Sequence, residues 1–264
     1  LLSRPPSAEL SASGMTLETL LSLAAQNNPT LLQARQQVNG TLAKALQAGL
    51  CPNPTLSYIA EQIFVDADYD VDTPGEFQGA VIQQEIVTAR KRQLSRHKYL
   101  QRAQAAEWQA VAQSWRVCND VRVHYWRTLG RREVVDVRGE ILKSAEDDAV
   151  TARERFHLGQ ATRAQLKMAD VGLQRARLQF LAAENQYRAQ FNVLTSLVGV
   201  NLPVQPLAGE LPGEISLIDF DDTLGHLINE SPEILSARAK YRADRITVQR
   251  ERAEPTPNVV VPAG

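Results

Sequence analysis

Between residues 90 and 158 the sequence contains no proline, and Gly130 and Gly139 are its only glycines. Proline removes a backbone donor and collides with the preceding helical turn, and glycine costs backbone entropy. Their near-absence over such a length leaves little to interrupt an α-helix. One very long helix, or two placed end to end, is expected, and at 1.5 Å per residue it would extend on the order of 100 Å. Few globular domains contain such a rod. Composition agrees, because aromatics make up only 6% of the 264 residues while Ala, Leu, Gln and Arg crowd the sequence.

A second helix is expected after Gly159, running to about Val198. Within it Leu166, Leu173, Phe180, Tyr187 and Leu194 recur every seven residues, and Ala169, Ala176, Ala183, Gln190 and Leu197 follow three positions later. This is an apolar seam of coiled-coil type, with small Ala positions that permit close helix approach. Val135, Leu142, Ala149 and Phe156 keep the same spacing in the preceding helix, so the two can zip as an antiparallel hairpin. The reversal falls at His157, Leu158, Gly159, Gln160, Ala161 and Thr162.

The sequence also repeats itself at an offset of 203 residues. Leu17, Leu21, Asn28, Pro29, Leu31, Leu32, Ala34, Arg35, Pro52, Pro54 and Leu56 fall opposite Phe220, Leu224, Ser231, Pro232, Ile234, Leu235, Ala237, Arg238, Pro255, Pro257 and Val259 without a gap. In each copy a cap-like Asn or Ser precedes a proline, which tolerates the first helical position because its missing N–H has no partner there. Helices are therefore expected to start at Pro29 and Pro232. In the first copy, Pro52 and Pro54 end the helix. Residues 55–65 and 76–87, rich in Ile, Val, Phe, Tyr and Thr, then read as an antiparallel hairpin around the turn-prone stretch 66–75. Each arm is about 11 residues, enough for a tilted strand to cross a bilayer. Alternation along the arms is imperfect, so it assigns neither a lipid face nor a lumen face. The expected organisation is an N-terminal tail (1–13), a first repeat (14–199), a linker (200–217) and a truncated second repeat (218–264). The first repeat holds helices over 15–50, a β-hairpin over 55–87, a long helix over 90–158 and a heptad helix over 162–198.

Several function classes find no support in the sequence. The 29 Lys and Arg nearly balance 30 Asp and Glu, so net charge gives no reason to expect nucleic acid. No apolar run suits a spanning helix, leaving strands as the only route across a membrane, and residues 1–13 lack the pattern of a secretory signal. Cys51 and Cys118 are expected to be buried or inert, and His97, His124, His157 and His226 are scattered without metal-ligand spacing. Asp66, Asp68, Asp70 and Asp72 alternate. A calcium loop counted from Asp66 has Val71 where Gly belongs and Phe77 where Glu belongs, so a solvated loop is expected. Arg90, Lys91, Arg92, Arg96, His97, Lys98 and Arg102 form a basic helical start without the Leu seam of a DNA-binding zipper, and read as a solvated patch near a lipid rim. Trp108 and Trp115, seven apart, suggest core or protomer contacts. No catalytic motif, cofactor motif or metal site is found, so an enzyme is not expected.

The order helix, Asn28-Pro29, helix, Pro52-Asn53-Pro54, strand hairpin, very long helix, Gly159 turn, heptad helix, and then a second Pro-started copy resembles the TolC-like outer-membrane efflux protein family. Gly49, Phe156, Leu194, Leu197 and Gly199 agree with its local patterns, and the resemblance covers about residues 15–261. It implies a mainly α protomer with a long antiparallel coiled-coil hairpin and two transmembrane β-strands. Three such protomers would share an outer-membrane barrel and a periplasmic helical tunnel. The implied function is passive conduction of drugs, small molecules or metal cations within a tripartite system, with a homotrimer meeting a periplasmic adaptor and an inner-membrane pump, and outer-membrane lipid around the strands. The turn from His157 to Thr162 would be the adaptor-contact and gating end. Pro52-Asn53-Pro54, Glu61, Gln83-Gln84-Glu85-Ile86, Lys91, Arg92 and Arg96 look most like the heavy-metal cation-efflux branch, which usually has Gly-Gly-Lys-Arg or Gly-Lys where this chain has Ala89-Arg90-Lys91-Arg92. A periplasmic adaptor or a purely structural coiled coil would also carry a long hairpin. The first would not repeat its opening helix and proline exit after the hairpin, and the second accounts for neither the strands nor the repeat.

Overall fold

The computed structural model describes residues 14–61, 77–211 and 219–263. The expected tail 1–13, the alternating Asp66 to Asp72, the inner ends of the hairpin arms, and Pro212, Gly213 and Leu217 of the expected linker lie outside the described residues. In chain order the elements are α1 (Leu17–Asn27), α2 (Pro29–Gly49), β1 (Thr55–Glu61), β2 (Phe77–Ile86), α3 (Lys91–His157), α4 (Arg163–Val198), α5 (Phe220–Glu230), α6 (Pro232–Ala253) and β3 (Val259–Ala263). α3 is one uninterrupted helix of 67 residues that passes through Gly130 and Gly139. The starts of α1, α2, α5 and α6 keep the 203-residue offset of the sequence repeat.

The chain forms two compact units, one of Leu1–Gln33 with Gln113–Phe220 and one of Ala34–Ala112 with Asp221–Gly264. The core of the first is built from Leu20 and Ala24 of α1, Val117, Val121, Tyr125 and Leu129 of α3, Phe191, Leu194 and Val198 of α4, and Leu207. These positions recur at three- and four-residue spacing, which places them on single helix faces. Helix α1 starts two residues later than the sequence suggests. Thr16 caps it by accepting from the Thr19 N–H at 3.2 Å, while Met15 stays extended and pairs with Leu207. Met15 N–H donates to Pro206 O at 3.1 Å, and Ala208 N–H to Met15 O at 3.0 Å. The stretch expected to be a linker is thus partly tied down. Tyr187 Oη also donates to Gln205 O at 3.2 Å and Tyr125 Oη to Ala208 O, and burial raises the pKa of both phenols.

The second unit packs differently. Apart from Lys91 and Pro232, its buried residues are small: Ala45 of α2, Ala103, Ala105, Ala106 and Ala112 of α3, and Ser236, Ala239 and Ala243 of α6. Helix separation depends on the side chains at the contact, and methyl groups permit the closest approach. Ser236 Oγ donates to Ala105 O at 3.1 Å, so the one buried hydroxyl among them is satisfied. α5 buries none of its residues. The strands form an antiparallel sheet in the order β1-β2-β3.

Two features of the joint between β2 and α3 differ from expectation. Lys91 does not belong to a solvated basic patch, because it is only 6% exposed. Its Nζ donates to Thr256 O at 2.5 Å and Asn258 Oδ1 at 3.0 Å, Asn258 Nδ2 donates to Glu85 Oε1 at 2.6 Å, and Thr88 Oγ1 to Pro257 O at 2.7 Å. Acceptors on the α6–β3 joint, which sequence distance hides, draw the ammonium inward. Immediately before it, Ala89 and Arg90 have φ of 51° and 54°, a region that costs a residue with a Cβ roughly 1–2 kcal/mol. Ala89→Gly and Arg90→Gly are each expected to raise stability by about 1 kcal/mol, read as a higher denaturant midpoint at unchanged slope. Cys51 is exposed rather than buried and lies against the Arg92 guanidinium, and Cys118 is half-buried. Trp115 is 57% exposed, so it is no core residue of this chain, whereas Trp108 is half-buried.

Candidate functional site

The reversal between α3 and α4 is held by its own backbone. α3 ends at His157, Gly159 adopts a left-handed φ of 72°, and its N–H donates to Phe156 O at 3.0 Å while the Gln160 N–H reaches Arg155 O at 2.8 Å. This pair of bonds is the Schellman termination, which satisfies carbonyls left over at a helix end. Two residues later Thr162 opens α4 with a capping box: its Oγ1 accepts from the Gln165 N–H at 3.3 Å, and its own N–H donates to Gln165 Oε1 at 2.7 Å. All six turn residues are described, and all but the half-buried Ala161 are exposed. Leu158, 71% exposed, places an apolar side chain at the tip. The His157 ring lies edge-on to Phe156, with centroids 6.2 Å apart.

Behind the tip, all ten heptad positions of α4 are buried or half-buried, as are Val135, Leu142 and Ala149 of α3. Phe156, nearest the turn, is more open. Polar pairs flank the seam: Arg131 with Gln186 and Arg138 with Gln179, both 2.8 Å, then Arg177 with Glu146 and Arg153 with Asp170, both 3.2 Å. They step in opposite directions along the two helices, as an antiparallel pair requires. Two of these are ion pairs, Arg177 with Glu146 and Arg153 with Asp170, and surface pairs of this kind contribute at most about 1 kcal/mol each, so they set register more than stability. Met168, Val171, Leu178 and Leu181 of α4 and Val134, Val137 and Ile141 of α3 lie outside the seam and stay exposed.

The helix-start prolines occupy the first positions of α2 and α6, but their caps are not equivalent. Asn28 Oδ1 accepts from the Thr30 N–H at 2.9 Å, while its Nδ2 donates to Leu197 O at 2.6 Å, tying the α1–α2 joint to the end of α4. Ser231, its counterpart before Pro232, makes no side-chain cap bond. The Asn28 link joins residues 169 apart, and no local pattern announces it.

Strand register sorts the residues onto two sheet faces. Leu56 faces Ile82, Tyr58 faces Ala80 and Ala60 faces Gln78, while Ile82, Gln84 and Ile86 face Ala263, Val261 and Val259. Directly paired residues share a sheet face. One face therefore carries Leu56, Tyr58, Ala60, Ala80, Ile82, Ile86, Val259 and Val261, interrupted by Gln78 and Gln84. The other carries Thr55, Ser57, Ile59, Gly79, Val81, Gln83, Glu85, Val260 and Pro262. The large apolar residues of the first face are exposed, as is Val260 of the other. Among the described residues no helix is long and apolar enough to cross a membrane, and no group of three His, Cys, Asp or Glu could hold a metal ion.

The sequence model of the outer membrane efflux protein family matches residues 20–200. No curated protein matches the sequence. Among solved structures, the chain is similar to the outer membrane protein VceC of Vibrio cholerae (20% identity, TM-score 0.65), covering 93% of this chain and 61% of that one. It is also similar to the CmeC outer membrane channel of Campylobacter jejuni (18%, 0.71, covering 93% and 55%). A third is the open state of the MtrE outer membrane channel of Neisseria gonorrhoeae (14%, 0.66, covering 93% and 56%). At these identities the likeness is one of fold, and the chain spans less than two thirds of the length of each of these proteins.

Proposed function

The chain belongs to the outer membrane efflux protein family, and we propose that it supplies part of the wall of a channel through which substrates leave the cell passively across the bacterial outer membrane. The observation that carries this reading is the sheet: one face exposes Leu56, Tyr58, Ile82, Ile86, Val259 and Val261, and the other carries the polar Thr55, Ser57, Gln83 and Glu85 among Ile59, Val81 and Val260. Such a surface is unfavourable in water and suits lipid on one side and an aqueous lumen on the other. Lipid tolerates no open strand edge, so β1 and β3 require further strands, and a homotrimer that closes a shared barrel meets that need. The α3–α4 hairpin, apolar at its seam, would line the periplasmic part. The tip from His157 to Thr162, stiffened by its own hydrogen bonds and offering Leu158, would meet a periplasmic adaptor that links the channel to an inner-membrane pump. Drugs, small molecules or metal cations are the substrate classes of this reading, and it assigns the chain no catalytic step.

The test uses spin labels on membrane-embedded protein with Cys51 and Cys118 replaced by Ser. Labels at Tyr58→Cys and Ile82→Cys are expected to be accessible to oxygen from the bilayer, and labels at Ser57→Cys and Gln83→Cys to a water-soluble nickel complex. Equal accessibility to nickel at all four positions would sink the reading.

A further inference from the structure

The near-neutral charge of the whole chain conceals a strongly basic region. α2, residues 91–112 of α3, and α6 together hold thirteen Lys and Arg against four Asp and Glu. Within the second unit these three helices line a groove of about 370 Å³ with a floor of alanine methyls. Lys44 from α2, Arg102 from α3 and Lys240 from α6 border it, with Tyr99, Gln109 and Asp244. Among the described residues no ion pair or hydrogen bond engages the side chains of Lys44, Lys240 or Asp244, and Arg102 lies only against the Tyr99 ring, 5.6 Å from its centroid. Three cations from three helices thus face one carboxylate, with the Tyr99 hydroxyl and the Gln109 amide as further donors.

We propose that this groove binds a phosphate-type oxyanion, presented either by a soluble phosphate monoester or by a lipid headgroup. Charge selects the class. Three cations less one carboxylate leave two positive charges, and a phosphate monoester carries about −1.5 to −2 near neutral pH, whereas a simple carboxylate would leave one cation uncompensated. An Arg fork and mobile ammonium groups are the donors that recognise such oxygens, and the surrounding excess of basic residues raises the local anion concentration. The groove volume lies within the range of about 300–1,000 Å³ usual for small-ligand sites. The proposal is independent of the channel reading, since it uses only side chains of one unit.

The experiment titrates glycerol phosphate into the purified 264-residue chain in detergent, followed by calorimetry, with circular dichroism to confirm that each variant is folded. Saturable one-to-one binding is expected. Lys44→Gln, Arg102→Gln and Lys240→Gln should each weaken it about tenfold, and Asp244→Asn should tighten it severalfold by removing the opposing carboxylate. Arg122→Gln, the same charge change in the first unit, should leave it unaltered. Absence of saturable binding, or equal weakening by Arg122→Gln, overturns the site in favour of a diffuse positive field, which salt screens. Short-chain phosphatidic acid doped into the micelles separates the sources. Displacement of glycerol phosphate with the same variant dependence assigns the site to a headgroup, and lack of displacement assigns it to the soluble ester; both retain the site.

Discussion

Gly199→Ala is expected to destabilise the first unit by about 3 kcal/mol or more. Two costs coincide at this residue. It holds a left-handed φ of 80° to close α4, a conformation that costs an L-residue with a side chain roughly 1–2 kcal/mol. A methyl group there would lie 2.5 Å from Asn27 O and 2.9 Å from Asn27 C, backbone atoms that cannot swing aside as a side chain could. Overpacking of this kind typically adds another ~1–3 kcal/mol. The damage should spread, since Asn28 beside the clash bonds Leu197 O and its own side chain starts α2. Gly172→Ala is the contrast within the same helix: nothing lies within 4 Å of a Cβ there, and a gain of about 0.5–1 kcal/mol is expected. Chemical unfolding followed by tryptophan fluorescence reads both, and a stability for Gly199→Ala within 1 kcal/mol of the parent would show that the joint can relax.

Phe191→Ala should cost about 3–5 kcal/mol, the usual loss on emptying a fully buried aromatic site. Phe191 is 1% exposed among Leu20, Val121, Leu194 and Val198, where α1, α3 and α4 meet. Phe191→Leu, which keeps most of the volume, is expected to lose about 1 kcal/mol. Leu178→Ala, on the exposed side of α4, should stay within about 0.5 kcal/mol in the isolated chain. Similar losses at Phe191 and Leu178, measured by the same unfolding assay, would mean that the helix pair does not pack as described.

What could be read in the sequence was whatever depends on local periodicity. The heptad of α4 announced its buried positions, prolines announced the starts of α2 and α6, and Gly159 announced the turn. Information that depends on distant partners was silent. Lys91 sits in a basic run and reads as solvated, yet its acceptors are Thr256 and Asn258, more than 160 positions away. Met15 has the composition of a helix residue and is claimed instead by Leu207. The two sheet faces could not be told apart from one strand's alternation, and separated once Leu56 was set opposite Ile82 and Gln84 opposite Val261. Phe191 itself lies outside the heptad series, because a helix of 3.6 residues per turn drifts from a 3.5-residue pattern, and near the end of α4 the buried stripe has moved to Phe191, Thr195 and Val198.

The self-contained turn at His157–Thr162 has a kinetic corollary. Its closing hydrogen bonds join residues at most five positions apart, so little loop entropy opposes their formation, and α3 and α4 can zip outward from Gly159 one heptad at a time. The pairs between β2 and β3, such as Ile86 with Val259 and Ile82 with Ala263, must instead close loops of 173 to 181 residues. Contacts of low sequence separation form in microseconds to milliseconds and distant strand pairings far more slowly. A nascent chain would therefore own a finished hairpin while its sheet edges were still searching, and the interval between the two is when those edges are open to pairing with the wrong neighbour.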